Sequence, residues 1–168
     1  MASSLTAGVT AQGAWTDLAL HTLGWKSFQD LASHVCEVIL NRPVEIFRDA
    51  QDGGQDAVFL TKNAADGAPL TATVQCKFSS NASRRLKLID LKIEEDNISR
   101  LVREGSAHTY ILLTSMPVDA PVASSLKRKL RDMGVIRPHV FGKEFLTRAI
   151  RNNVRLRLRG PIPYIGRA

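Results

Sequence analysis

The chain has 168 residues, the size of one domain, and with 44% hydrophobic and 23% charged residues its composition is that of an ordinary globular protein. Its longest apolar run is far shorter than the roughly 20 residues that a membrane span needs, so the sequence predicts no membrane segment. Residues 1–13 lack the charged and apolar regions of a secretory signal, and we expect a cytoplasmic protein.

Charge is distributed unevenly along the chain. Residues 1–83 hold 5 Lys/Arg against 8 Asp/Glu, whereas residues 84–168 hold 18 against 8, for a total of +7. Clustered Lys and Arg favour a polyanionic partner, because each one placed near a phosphate releases condensed counterions. The alternative is a solvated basic surface without a partner.

The hydrophobic pattern predicts helices and strands that alternate along the chain. After a short helix or turn at 14–24, we expect in chain order a helix from Ser27 to about 41, strands at 44–48, 57–60 and 71–78, a helix within 86–104, a strand at 110–114, a helix at 121–133, a short strand within 135–141 and a helix at 143–152. Ser27 is the predicted N-cap of the first helix, and Gly105 is the predicted stop of the second.

Such alternation is typical of an α/β sandwich, with helices on both sides of a mixed central sheet. We divide the chain into an N-terminal extension (1–24), an α/β domain (25–153) and a basic C-terminal arm or linker (154–168).

Three polar residues on the predicted strands could carry chemistry. Gln75 and Lys77 are two residues apart on one strand, so both point to the same face of the sheet while Cys76 points to the other. If the strand that begins near Asp56 pairs antiparallel with this one, the Asp56 carboxylate meets Gln75 and Lys77. Mg²⁺ prefers oxygen ligands and keeps several waters, so Asp56, the Gln75 side-chain oxygen and the Cys76 backbone carbonyl would hold it, with Mn²⁺ as a substitute. Lys77 would orient the attacking water and stabilise the charge that develops on a phosphate.

The α-β-β-β-α-β order, with G-G-x-D at 53–56 and Q-x-K at 75–77, resembles the PD-(D/E)xK nucleases, and specifically their Mrr-like restriction endonuclease branch. The resemblance covers about residues 25–115. It implies a restriction-endonuclease-like fold and metal-dependent hydrolysis of DNA phosphodiester bonds by Asp56, Gln75 and Lys77. It also implies that such domains often act as homodimers.

One feature of that branch is absent, namely the Glu that often follows the aromatic residue of the first helix. Here Gln29 follows Phe28. Asp30 and Glu37 lie on the same helix but roughly opposite its apolar stripe. The remaining candidates to support the site are therefore Gln29 itself, Glu45 on the first strand and Asp52 in the D-G-G turn, although Asp52 is also a typical turn residue.

Three basic clusters could contact a sugar-phosphate backbone, although each could also be a solvated face. The clusters are Arg84, Arg85 and Lys87; Lys127, Arg128, Lys129 and Arg131; and Arg148, Arg151, Arg155, Arg157 and Arg159. The R-L-R-L-R run of the third cluster alternates as in a strand or arm. We expect six of these cations to be the principal nucleic-acid-binding residues, namely Arg84, Arg85, Lys87, Lys127, Arg128 and Lys129.

Other chemistries lack a motif. Cys36 and Cys76 have no partner at metal-binding spacing and are interpreted as small buried hydrophobes, and the four histidines as structural or surface residues. No serine-hydrolase elbow, phosphate loop or H-E-x-x-H pair occurs.

The sequence therefore predicts a Mg²⁺-dependent DNA endonuclease domain of the restriction or antiviral-defence type. The ending G-P-I-P-Y-I-G-R-A is typical of a linker, which leaves open a further C-terminal regulatory domain or partner. The main alternative is a catalytically inactive nucleic-acid-binding module of the same fold. A third is a protein-interaction domain whose basic half docks an acidic partner.

Overall fold

The computed structural model describes residues 18–41, 45–47, 56–61 and 72–158. The helices are α1 (Trp25–Leu40), α2 (Glu95–Arg103), α3 (Ala120–Asp132), α4 (Lys143–Asn152) and α5 (Val154–Leu158). The strands are β1 (Glu45–Phe47), β2 (Asp56–Thr61), β3 (Ala72–Lys77), β4 (Thr109–Thr114) and β5 (Arg137–Phe141). Short 3-10 helices occupy Leu20–Thr22 and Leu88–Glu94.

The five strands form one mixed sheet in the order β1-β2-β3-β4-β5. β1, β2 and β3 pair antiparallel, whereas β3, β4 and β5 run parallel. The element order from α1 to β4 is α-β-β-β-α-β, which confirms the predicted fold class. No helix in the described part of the chain combines the length and the hydrophobicity that crossing a bilayer requires.

Two hydrophobic clusters cover the two faces of the sheet, as alternation along the strands requires. On one face Cys76 and its neighbours on β3 and β4 pack with α1 and with Leu146 and Ile150 of α4. On the other face Tyr110 and Leu112 pack with α2 and α3. β3 and β4 are thus buried on both sides, as is usual for parallel sheets, whereas the edge strand β5 alternates between buried and partly exposed residues.

The first helix starts earlier than predicted. Its N-cap is Gly24 (φ 75°), not Ser27, and it ends at Asn41, which adopts the left-handed conformation (φ 50°). The C-cap amide of Asn41 bonds the Glu37 carbonyl. Asparagine tolerates this conformation better than most residues, so the helix stops there, just before residues 42 and 43.

The second predicted helix is divided in two. Leu88–Glu94 is a 3-10 helix and only Glu95–Arg103 is α-helical. With three residues per turn, Leu91 and Glu94 lie on the same side of the 3-10 segment, and both are buried. Leu88, at the start of the 3-10 segment, is 42% exposed.

Both ends of the described chain pack against the domain. Leu18 and Leu20 belong to the core cluster of α1, as does Leu156 of α5. Val154–Leu158 is helical, so the strand considered for the R-L-R-L-R run is wrong over these residues. Packing of Leu156 outweighs the two-residue alternation of Arg and Leu. Arg159 and the linker-like ending lie outside the described residues.

Candidate active site

The register of β2 and β3 determines where the predicted catalytic residues lie. Asp56 is the Cα partner of Lys77, and Val58 is the partner of Gln75. The antiparallel pairing on which the predicted metal site depends is therefore present. It brings the first residue of β2 next to the last residue of β3.

Gln75 and Lys77 point to the face that carries α2 and α3, whereas Cys76 is buried in the cluster on the α1 face. Both residues are buried. Gln75 is wholly inaccessible, and Lys77 as a whole residue is 9% exposed. The prediction that the two share one face, with Cys76 on the other, is confirmed.

Lys77 forms an ion pair with a carboxylate that the sequence analysis did not select. Its Nζ donates a hydrogen bond to Glu94 Oε1 at 3.1 Å, and both side chains are 11% exposed. Glu94 is the last residue of the 3-10 helix, immediately before α2. The pair joins the end of β3 to the second layer of the domain.

Gln75 has a buried partner on the neighbouring strand. The hydroxyl of Tyr110, itself wholly buried, donates a hydrogen bond to Gln75 Oε1. Gln75 Nε2 has no hydrogen-bond partner in the described part of the chain. A buried amide nitrogen without an acceptor is costly, so this side of Gln75 is incompletely satisfied.

The donor set at this end of the sheet suits a hard divalent cation. The Glu94 carboxylate, the Gln75 amide and the Cys76 backbone all offer oxygen, which Mg²⁺ prefers. No group of three or more His, Cys, Asp and Glu residues is placed to hold a metal ion within the ranges that the structure describes. Mg²⁺ commonly uses only one or two carboxylates together with waters and substrate phosphate, so a sparse donor set fits it.

The structure describes two of the three predicted supporting residues, Gln29 and Glu45. Gln29 lies on α1, which packs on the Cys76 face of the sheet, and Asp30 is exposed. Glu37 lies 3.6 Å from His34 on the same helix. Glu45 is the register partner of Leu60, towards the far end of β2 from Asp56. Asp52 lies outside the described residues.

Several predicted DNA-binding cations already have carboxylate partners. Arg84 bonds Asp90 at 2.9 Å, Arg85 bonds both carboxylate oxygens of Asp119, and Lys129 pairs with Glu95. The hydrogen bonds from Arg85 hold the pKa of the Asp119 carboxyl below its usual range, and Asp119 raises the pKa of Arg85.

The other three predicted DNA-binding cations are Lys87, Lys127 and Arg128, and none forms a salt bridge within the described residues. Arg84, Arg85 and Lys87 line a groove of about 550 Å³. The first basic cluster therefore borders an open concave surface.

A sequence signal for Glu94 existed. The residues Glu94, Ile98 and Leu101 recur at helical spacing, and all three are buried. Glu94 is therefore a charged residue on an apolar stripe, a position where burial is costly without a partner. That contrast marks it as a candidate site residue.

The protein is a mixed α/β domain. A buried ion pair between Lys77 and Glu94 lies at the end of its central strand, β3. No protein-family model matches the sequence, and no curated protein matches it. Among solved structures, the chain is similar to the DNA modification-dependent restriction endonuclease AspBHI, with a TM-score of 0.48 and 15% identity. The similarity covers 79% of this chain and 33% of that one, so this chain spans about a third of that protein's length.

Proposed function

We propose that this domain is a Mg²⁺-dependent DNA endonuclease of the PD-(D/E)xK class, in its Mrr-like Q-x-K branch. The observation that carries the proposal is the register that sets Asp56 opposite Lys77, with Gln75 two residues earlier on the same face. A restriction or antiviral-defence role is part of the proposal, because such nucleases act on foreign DNA.

Each of the three residues has a distinct part. Asp56 and the Gln75 amide oxygen would bind the metal ion, and the Cys76 backbone carbonyl would complete the protein ligands. Bound there, Mg²⁺ would polarise the scissile phosphate and lower the pKa of a coordinated water. Lys77 Nζ would donate hydrogen bonds to the attacking water and to the phosphate oxygen on which charge develops.

The charge of the chain supports DNA as the partner. Residues 84–168 carry an excess of ten positive charges, and Lys87, Lys127 and Arg128 form no salt bridge in the described ranges. Cations without an internal carboxylate partner are available to phosphates. Binding through them would be independent of sequence, because phosphate contacts position a duplex without reading its bases.

A second candidate is a catalytically inactive nucleic-acid-binding module of the same fold. The observation that favours it is the complete burial of Gln75 and its bond with Tyr110, which also suits a purely structural amide. In this case the basic surface would bind DNA and no cleavage would follow.

The test is cleavage of supercoiled plasmid by wild type, Asp56→Asn and Lys77→Ala, each with Mg²⁺, with Mn²⁺ and with EDTA. Matched controls are Asp132→Asn and Lys26→Ala, which change exposed residues on other elements. We expect metal-dependent nicking that falls at least about 100-fold in the two site variants and is retained in the controls.

Two results would contradict the proposal. Equal cleavage by all variants would assign the activity to something other than this site. No cleavage under any metal, together with salt-sensitive DNA binding, would favour the inactive binding module.

A further inference from the structure

Glu94 occupies a position where a carboxylate needs an explanation. It is 9% exposed and follows Leu91 on the buried side of the 3-10 helix, in line with Ile98 of α2. Its partner Lys77 is equally buried. A buried ion pair is rarely the most stable choice, because apolar residues of similar volume often stabilise a protein as well or better. Stability alone therefore does not account for the pair.

The location of Glu94 relates it to the proposed metal site. It contacts Lys77, which is the register partner of Asp56 and lies two residues beyond Gln75 on the same face. The carboxylate of Glu94 thus lies at the same end of β3 as the other proposed oxygen ligands. The nuclease family would place its additional Glu on α1. In this protein α1 packs on the Cys76 face of the sheet and carries the neutral residue Gln29 in the corresponding position, after Phe28.

Gln75 provides an independent indication that this cluster holds a ligand. Its Nε2 is buried and has no hydrogen-bond partner in the described ranges. A tyrosine hydroxyl accepts hydrogen bonds as well as donating them, so the amide can turn over and keep its bond with Tyr110. The side-chain oxygen of Gln75 then takes the place of Nε2, where it is able to bind a cation.

From these contacts we infer that Glu94 is the second carboxylate ligand of the divalent metal ion, supplied by the second layer of the fold instead of by α1. The inference rests on the proposed function. Lys77 is the partner of Glu94 when no metal is bound. With a metal ion bound, the Glu94 carboxylate would be one of its ligands, and Lys77 Nζ would donate to the water and the phosphate.

The test measures metal binding directly, with Mn²⁺ as the probe and the loss of the free Mn²⁺ electron paramagnetic resonance signal as the readout. Variants are Glu94→Gln, Asp56→Asn, Lys77→Gln and, as the matched control, Glu95→Gln. Glu95 is the next residue along the chain, but its partner is Lys129 on α3.

We expect Glu94→Gln to weaken Mn²⁺ binding at least about tenfold, and Glu95→Gln to leave it unchanged. Lys77→Gln should bind Mn²⁺ no more weakly than wild type, because it removes a competing cation from the site. If Glu94 were only the ion-pair partner of Lys77, adding Glu94→Gln to Lys77→Gln would leave the Mn²⁺ affinity of Lys77→Gln unchanged.

A folding defect in Glu94→Gln is separated from lost binding by a double variant, Lys77→Gln with Glu94→Gln, which removes both charges of this ion pair together. It should bind Mn²⁺ at least about tenfold more weakly than Lys77→Gln. Wild-type affinity in Glu94→Gln with lost binding in Asp56→Asn would overturn the inference and leave the proposed function standing. No Mn²⁺ binding by wild type would overturn both.

Discussion

The hydroxyl of Tyr110 and the amide of Gln75 form a polar pair inside an otherwise apolar layer. Both residues are completely buried, and the hydroxyl donates to Gln75 Oε1. Low local polarity strengthens such a bond, and it also makes a lost partner expensive. Tyr110 therefore orients Gln75 on the face that carries Lys77.

We predict that Tyr110→Phe lowers the free energy of unfolding by about 1–3 kcal/mol, because it leaves the buried amide without its donor. Urea denaturation of the variant and of wild type measures the loss. The control is the double variant Tyr110→Phe with Gln75→Leu, in which both polar groups are removed. Its loss should be smaller than the sum of the two single losses, since neither partner of this hydrogen bond remains to be left unpaired. If the losses in the free energy of unfolding simply add, a direct hydrogen bond between Tyr110 and Gln75 would be contradicted.

The second prediction for a single residue concerns the thiol of Cys36. Burial, with a smaller contribution from the charge of Glu37, raises the pKa of its thiol to about 12. The thiolate is the reactive form, and it is scarce well below that pH. We therefore predict that Ellman's reagent at pH 8 labels neither Cys36 nor Cys76, which is equally buried, in the folded protein.

The same reagent should label both thiols in guanidinium chloride, where burial no longer acts on them. Rapid labelling of one thiol without denaturant would show that its surroundings open in the native state.

At the scale of elements, α2 and α3 end in the same way. In each, the amide after the glycine bonds a carbonyl five residues back, namely Ser106 to Leu101 at 2.8 Å and Val135 to Leu130 at 3.0 Å. In each case the glycine adopts a positive φ, which is 71° at Gly105 and 102° at Gly134, and this turns the chain after the helix. This motif satisfies carbonyls at the helix end and returns the chain towards the sheet.

The two glycines make a matched pair of substitutions. A Cβ at Gly105 would meet nothing within 4 Å, whereas a Cβ at Gly134 would lie 2.8 Å from Val102 Cγ1. Gly105→Ala should therefore cost about 1–2 kcal/mol from backbone strain alone. We predict a larger loss for Gly134→Ala, measured by urea denaturation.

Combining Gly134→Ala with Val102→Ala isolates the steric part. The double variant should lose less than the sum of the single variants, because the added methyl fills the space that Val102 leaves. Equal losses in Gly105→Ala and Gly134→Ala would show that the neighbour moves away freely.

At the scale of the whole molecule, charge is the most uneven property. The excess of positive charge belongs to residues 84–168, but part of it is neutralised internally, as in the Arg85–Asp119 pair. Sequence counts therefore overstate the charge available to a polyanion. Cations that form no salt bridge within the described ranges, such as Arg128, should dominate the DNA binding that we propose.

The salt dependence of duplex DNA binding distinguishes these two kinds of cation. We predict that Arg128→Gln reduces the slope of log affinity against log salt by about 0.9, the value for one lost phosphate contact. Arg85→Gln should change it less, because Asp119 already holds that guanidinium. Fluorescence anisotropy over a range of NaCl concentrations gives both slopes. A larger effect of Arg85→Gln would mean that DNA displaces Asp119.

The sequence by itself determined the order of the helices and strands from α1 to α4 and the faces to which Gln75, Cys76 and Lys77 point. These properties depend on periodicity within a few residues, so α4 has the predicted bounds and Gln75 and Lys77 share a face. The sequence predicts that Asp56 meets Lys77 if their strands pair antiparallel, and the structure has that pairing.

Only the tertiary structure decided which residues of the sheet contact which residues of the helices packed on it. The ion pair of Lys77 and Glu94 depends on how the 3-10 helix packs on β3, and local periodicity carries no information about that packing. The same reason explains the helix at Val154–Leu158, where burial of Leu156 outweighs the alternation of Arg and Leu. Long-range contacts select among the conformations that a local pattern allows.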